Sequence, residues 1–126
     1  MKKYKVPLLT EEYFATVYIG SKKDLIAPTA KHLECSKQLA EQNFSTARGI
    51  TYNLYPDYNP LICVDGDLPY YEALATLAHE ASHVMEYLTQ HIGMEDSSGE
   101  FRAHGVAAIM RIVGKDLYPT KNKKKL

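Results

Sequence analysis

His79, Glu80 and His83 fall within five consecutive residues, in the order H-E-x-x-H. On an α-helix, residues four apart lie on one face, one turn from each other, so two imidazoles at this spacing can point at a single ion. Zinc accepts imidazole nitrogen and prefers four ligands, one of which a catalytic site leaves to water. A glutamate beside the first histidine is placed to take a proton from that water as it attacks. The spacing therefore points to metal-assisted hydrolysis, with His79 and His83 as ligands and Glu80 as general base. The motif fixes only three positions and also arises by coincidence, so its surroundings must carry weight. Ala78, Ala81 and Ser82 around the histidines are short and would let a substrate strand or a second helix come close.

The element that holds these residues is easily read. Residues 70 to 91 contain neither Gly nor Pro, and Leu74, Leu77, Ala78, Ala81, Met85 and Leu88 form an apolar stripe at helical spacing. That stripe is core packing rather than a binding groove. Gly93 follows and can end the helix in a left-handed conformation. A second helix is expected over residues 98 to 114, with Phe101, Val106, Ile109, Met110 and Val113 as its apolar positions.

Upstream, residues 13 to 20 are aromatic and β-branched and end at Gly20, which reads as a strand. Residues 29 to 43 read as a helix that begins near Asp24 and adjusts at Pro28. Residues 49 to 56 and 61 to 65 read as two strands, adjacent or forming a hairpin, around the turn residues of "PDYNP". The order strand, helix, two strands, long helix, helix implies an α+β fold, a small sheet on one side of a helix pair. Residues 1 to 120 read as one domain and residues 121 to 126 as a basic, solvated and disordered tail carrying Lys121, Lys123, Lys124 and Lys125.

Composition narrows the class. The chain has 126 residues, 45% hydrophobic and 24% charged, with formal net charge +0. There is no global field to attract nucleic acid or acidic lipid, so neither is expected as a partner. No apolar run reaches the roughly 18 residues of a membrane span, and no secretory leader is seen. Cys35 and Cys63 lack a C-x-x-C arrangement and read as reduced thiols in a cytoplasm.

A third metal ligand is needed. His91, Glu95, Asp96, Glu100 and His104 are the downstream candidates. His91 stands roughly 12 Å further along the same helix, too far to share the ion. Glu100 and His104 lie one turn apart on the next helix. Glu100 also fits a capping box with Ser97, in which its side chain bonds back to the helix start.

H-E-x-x-H followed by "EFRAHGVAAIM", with its E-x-x-A-x-x-x-A pattern, resembles the gluzincin-type metallopeptidases, in particular the ImmA/IrrE group and small phage-encoded zincin-like proteins. The resemblance covers about residues 60 to 112. It implies a minimal zincin-like domain with Zn2+ held by His79, His83 and Glu100, Glu80 as base, and Ala103 as the small residue between the helices. It implies a peptide or protein substrate and, for a phage-encoded chain, the host cytoplasm. His104, His91 and Tyr87 are candidate oxyanion or supporting donors, and Tyr70 and Tyr71 stand at the helix entrance. Leu61, Ile62, Cys63 and Val64 are the expected substrate-side edge strand. The alternative function is a catalytically silent zincin-fold binding protein, such as a phage-encoded modulator of a host protein.

Overall fold

Four β-strands and four helices follow one another as β1 (Lys2–Pro7), β2 (Phe14–Gly20), α1 (Lys22–Leu33), α2 (Lys37–Phe44), β3 (Gly49–Asn53), β4 (Pro60–Asp65), α3 (Tyr70–His91) and α4 (Gly99–Val113), with a closing 3-10 turn at Gly114–Leu117. The computed structural model describes residues 1–8, 12–44, 47–53, 58–93 and 99–117. The basic tail, Glu95, Asp96 and the proposed cap at Ser97 lie outside the described residues. The fold is α+β, as expected.

The strands form one mixed sheet in the order β1-β2-β4-β3. β1 runs antiparallel to β2, β2 parallel to β4, and β3 antiparallel to β4 with Thr51 opposite Ile62 and Ile50 opposite Cys63. Alternation along β2 and β4 divides the core. Ala15, Val17, Ile19, Ile62 and Val64 face α3 and α4, where they meet Leu77, Ala81, Val84, Ile109 and Val113. Tyr18, Leu61 and Cys63 face the other way and meet Leu25 of α1 and Phe44 of α2. Leu61, Ile62, Cys63 and Val64 are all fully buried, because β4 has a neighbour on each edge and helices on both faces. Burying each such aliphatic side chain contributes about 1.5–3 kcal/mol.

The sheet lies on one side of the α3–α4 pair, as expected, and α1 and α2 cover its other face. Three points differ from the sequence reading. The helix expected over 29 to 43 is two, because Glu34 turns left-handed at φ 54° and its N–H bonds Ala30 and Lys31, which ends α1. β1 was not foreseen; Val6 is its one fully buried residue, among exposed Lys2, Lys3 and Lys5. Above all, β4 is not an edge. Its backbone is paired on both sides, so it has no row of free N–H and C=O groups to offer a peptide; β3 holds that position, beside α3.

Helix α3 runs over the expected residues. Its buried positions are Ala73, Leu77, Glu80, Ala81, Val84, Met85, Leu88 and Thr89, a stripe turned slightly from the one expected, with Leu74 and Ala78 half-buried. Gly93 follows with φ 73°, as its place after the helix suggested. Helix α4 packs back along α3. Gly105 lies so close to Met85 that a Cβ there would sit 2.0 Å from its sulfur, and Gly114 faces Leu74.

Candidate metal and hydrolytic site

The two histidines of α3 face each other. His79 Nε2 and His83 Nε2 are 3.3 Å apart, with the rings nearly perpendicular and their centroids 4.9 Å apart. Two nitrogens bound at zinc's usual length and at a tetrahedral angle stand about 3.3–3.4 Å from each other. The same distance is that of a hydrogen bond between the two rings, whose donor depends on the tautomer. His79 is exposed and His83 half-buried, so the pair is open to an ion from solvent. On the far side of the second ring, Glu86 Oε2 lies 3.5 Å from His83 Nδ1.

Glu80 turns the other way, toward β3. It is 7% exposed, and Thr51 Oγ1 donates to its Oε2 at 2.5 Å, the length of a charge-assisted O–H···O⁻ bond. The same hydroxyl lies 3.2 Å from the Glu80 main-chain oxygen. Gly49, two residues before Thr51, allows this approach: a Cβ there would lie 2.5 Å from Thr76 Cγ2 and 3.3 Å from Glu80 Cγ. An open groove of about 440 Å3 runs between the β3 edge and α3, lined by Arg48, Gly49, Glu72, Thr76, His79 and Glu80. Arg48 and Glu72 form an ion pair across it. Thr51, Gly49 and Arg48 were not singled out in the sequence, where nothing brings residues 48 to 51 next to residue 80.

The expected third ligand is not brought to this pair. Glu100 and His104 are both exposed on α4, and among the described residues no three His, Cys, Asp or Glu side chains gather to hold an ion. Helix geometry gives the reason. At 100° per residue, Met85 lies about 160° around α3 from His83 and about 120° from His79. Since α4 packs on the Met85 and Leu74 flank, it stands away from the histidines. His104 instead borders an apolar pocket with Leu8, Met85, Phe101 and Gly105. His91 is occupied at the end of α3, its ring 5.6 Å from Tyr58 and 6.0 Å from Tyr13. Tyr87 lies one turn beyond His83 and about 40° around the helix, half-buried, which keeps it on the histidine flank. Tyr70 and Tyr71 pack on each other at the helix entrance, with ring centroids 5.2 Å apart.

Neither thiol belongs to the site. Cys63 is fully buried; burial pushes its thiol up to about 11, opposed by the Thr29 hydrogen bond, with the charge of Glu80 as the smallest contribution. It is a neutral core residue. Among the described residues no helix is long and apolar enough to cross a membrane.

No protein-family model, curated protein or solved structure matches the chain.

Proposed function

We propose that the protein is a zinc-dependent, zincin-like metallopeptidase in which His79 and His83 hold the ion and Glu80 is the base. The observation that carries this reading is the 3.3 Å separation of the two Nε2 atoms, which matches two corners of a tetrahedral site. A buried, hydrogen-bonded carboxylate next in sequence to the first histidine supports it, as does an edge strand bordering the same groove. When bound, zinc would polarise the substrate carbonyl and the attacking water. Glu80 would be the group that takes a proton from that water and passes it to the leaving amine. The β3 edge presents backbone groups to an extended peptide, which favours recognition of main-chain shape over sequence.

A second reading has its own support. With two ligands gathered and no third among the described residues, the pair also suits a protein that binds metal and holds a partner without hydrolysis.

Elemental mass spectrometry on untagged protein, with His83→Ala, Glu100→Ala and Glu80→Gln, tests both. The expected result is one zinc per chain, lost in His83→Ala and kept in Glu80→Gln. Loss in Glu100→Ala would show that α4 moves to complete the site; retention would assign the remaining positions to water or substrate. Glu80→Gln is expected to abolish peptide hydrolysis. A biological effect that survives Glu80→Gln would favour the binding reading, and absence of zinc from the wild type would overturn both.

A further inference from the structure

We propose that β3 is a self-association edge, along which two copies of this chain join their sheets antiparallel through the backbone of Gly49, Thr51 and Asn53. The two edges of the sheet are unlike. β1 carries Lys2, Lys3 and Lys5, charges that keep other strands away. β3 reads Gly-Ile-Thr-Tyr-Asn and carries none. The run from Ile50 to Tyr55 has neither charge nor proline and is rich in the β-branched and aromatic residues that favour sheet pairing. Only one side of β3 is in use. The Asp65 N–H donates to the Arg48 carbonyl at 2.9 Å, and the residues that face a neighbour in an antiparallel ladder alternate. Arg48, Ile50 and Tyr52 therefore turn their N–H and C=O groups toward β4. Gly49, Thr51 and Asn53 turn theirs outward, where no described residue bonds to them.

A second copy fits this edge by symmetry. A two-fold pair centred on Thr51 sets Thr51 against Thr51, Gly49 against Asn53 and Ile50 against Tyr52 of the second copy. Each outward N–H and C=O then meets its complement. The register places a β-branched side chain beside an aromatic ring and one threonine beside another, both favourable cross-strand pairs. The strand is neutral throughout, so two copies meet without the like-charge repulsion that β1 against β1 would impose. The groove of about 440 Å3 beside β3 gives the incoming strand room, and its α3 wall is lined by the short Ala75 and Thr76 and by His79. A two-fold axis normal to the sheet puts the α3 helices of both copies on one face of the joined sheet, so the contact extends from strand to helix. The inference goes beyond the hydrolytic reading and needs no metal; a peptide that pairs with β3 would have to displace the second copy.

Sedimentation equilibrium of the full chain in EDTA over a range of concentrations tests this, together with amide hydrogen exchange read residue by residue by NMR. The expected result is a monomer–dimer equilibrium in which the amides of Gly49, Thr51 and Asn53 slow as concentration rises while those of β1 do not. Asn53→Pro removes one outward N–H from each strand at an edge position where proline is tolerated. It is expected to weaken dimerisation by about 10–30-fold, the worth of two lost hydrogen bonds. Asn53→Ala is the control: it loses the side-chain bond from the Asn59 N–H but keeps its own N–H, and is expected to dimerise as the wild type does. A single-chain mass at every concentration would overturn the inference. So would wild-type dimerisation in a folded Asn53→Pro, or equal weakening in both variants. A dimer in which the three amides exchange as they do in the monomer would place the contact elsewhere and overturn it too. A dimer that forms only when zinc replaces EDTA would assign the contact to His79 and His83, overturning the edge pairing and leaving the metal reading intact. A chain that dimerises in EDTA and binds no zinc would overturn the hydrolytic reading and leave this inference standing.

Discussion

The imidazole pair and the carboxylate are adjacent in sequence but face different neighbours. His79 and His83 point toward solvent, and Glu80 points into the seam between α3 and β3. Helical periodicity alone makes the first relation legible, because positions four apart must share a face. It also explains why Thr51 was invisible: the bond to Glu80 spans 29 residues and exists only after the sheet has formed. Glu100 shows the opposite failure. Its pattern with Ala103 is plain in the sequence, but which flank of α3 receives α4 is decided by Gly105 against Met85, a packing choice that no spacing rule contains. The cysteines give a test at this scale. Cys35 is partly exposed and Cys63 is fully buried, with its thiol pushed up to about 11, chiefly by burial. A chromogenic thiol reagent at neutral pH is therefore expected to titrate one thiol per native chain, and the second only in denaturant. Rapid reaction of both in the native state would contradict the packing of β4.

Among the elements, those with strong periodicity were legible. The boundaries of α3 and the pairing of β3 with β4 follow from pattern and turn chemistry. β1 was hidden because Lys2, Lys3 and Lys5 mask the one residue, Val6, that reaches the core; lysines on an edge strand discourage pairing with other chains. The break between α1 and α2 was hidden because a left-handed Glu34 is not a residue that announces a helix end. The close approach of β3 to α3 is the element contact on which the site depends, and Gly49 permits it. Gly49→Ala would place a methyl 2.5 Å from Thr76 Cγ2, 3.2 Å from the Cys63 carbonyl oxygen and 3.3 Å from Glu80 Cγ. Overpacking of this kind costs about 1–3 kcal/mol, to be read as a lower urea midpoint with an unchanged slope. The same substitution in a Thr76→Ala background is expected to cost less, since the nearest obstacle is gone. At Gly105 the obstacle is the flexible end of Met85, so Gly105→Ala is expected to be rescued, in the same assay, by Met85→Ala. An interior Leu61→Ala leaves a cavity instead and is expected to cost about 2–5 kcal/mol.

Across the whole molecule, the two ends of the described chain are tied by one hydrogen bond. Tyr4 on β1 donates its hydroxyl proton to Asp116 Oδ2 at 2.8 Å, across 112 residues of sequence. The bond joins the outer strand to the turn that follows α4, and so fastens α4 to the sheet far from Gly105. Burial, then the hydrogen bond to Asp116 and its negative charge, push the Tyr4 hydroxyl up to about 12 from 10.0. The folded state holds this proton more tightly than the unfolded chain does. The stabilisation is thus complete below pH 10 and is lost as pH rises from 10 through about 12. Burial shifts the Cys63 thiol in the same direction, from 9.0 to about 11, and raises the Tyr58 hydroxyl too. Stability measured by urea unfolding is therefore expected to be level between pH 7 and 9 with respect to these groups and to fall steadily above. Tyr4→Phe separates the contributions. At pH 7 it should cost about 1 kcal/mol through the lost hydrogen bond, and above pH 10 its stability should fall less steeply than that of the wild type, because one of the titrating protons is gone. Parallel curves for the two proteins from pH 9 to 12 would mean that Tyr4 is not held by Asp116, and that α4 is fastened to the sheet by its apolar face alone.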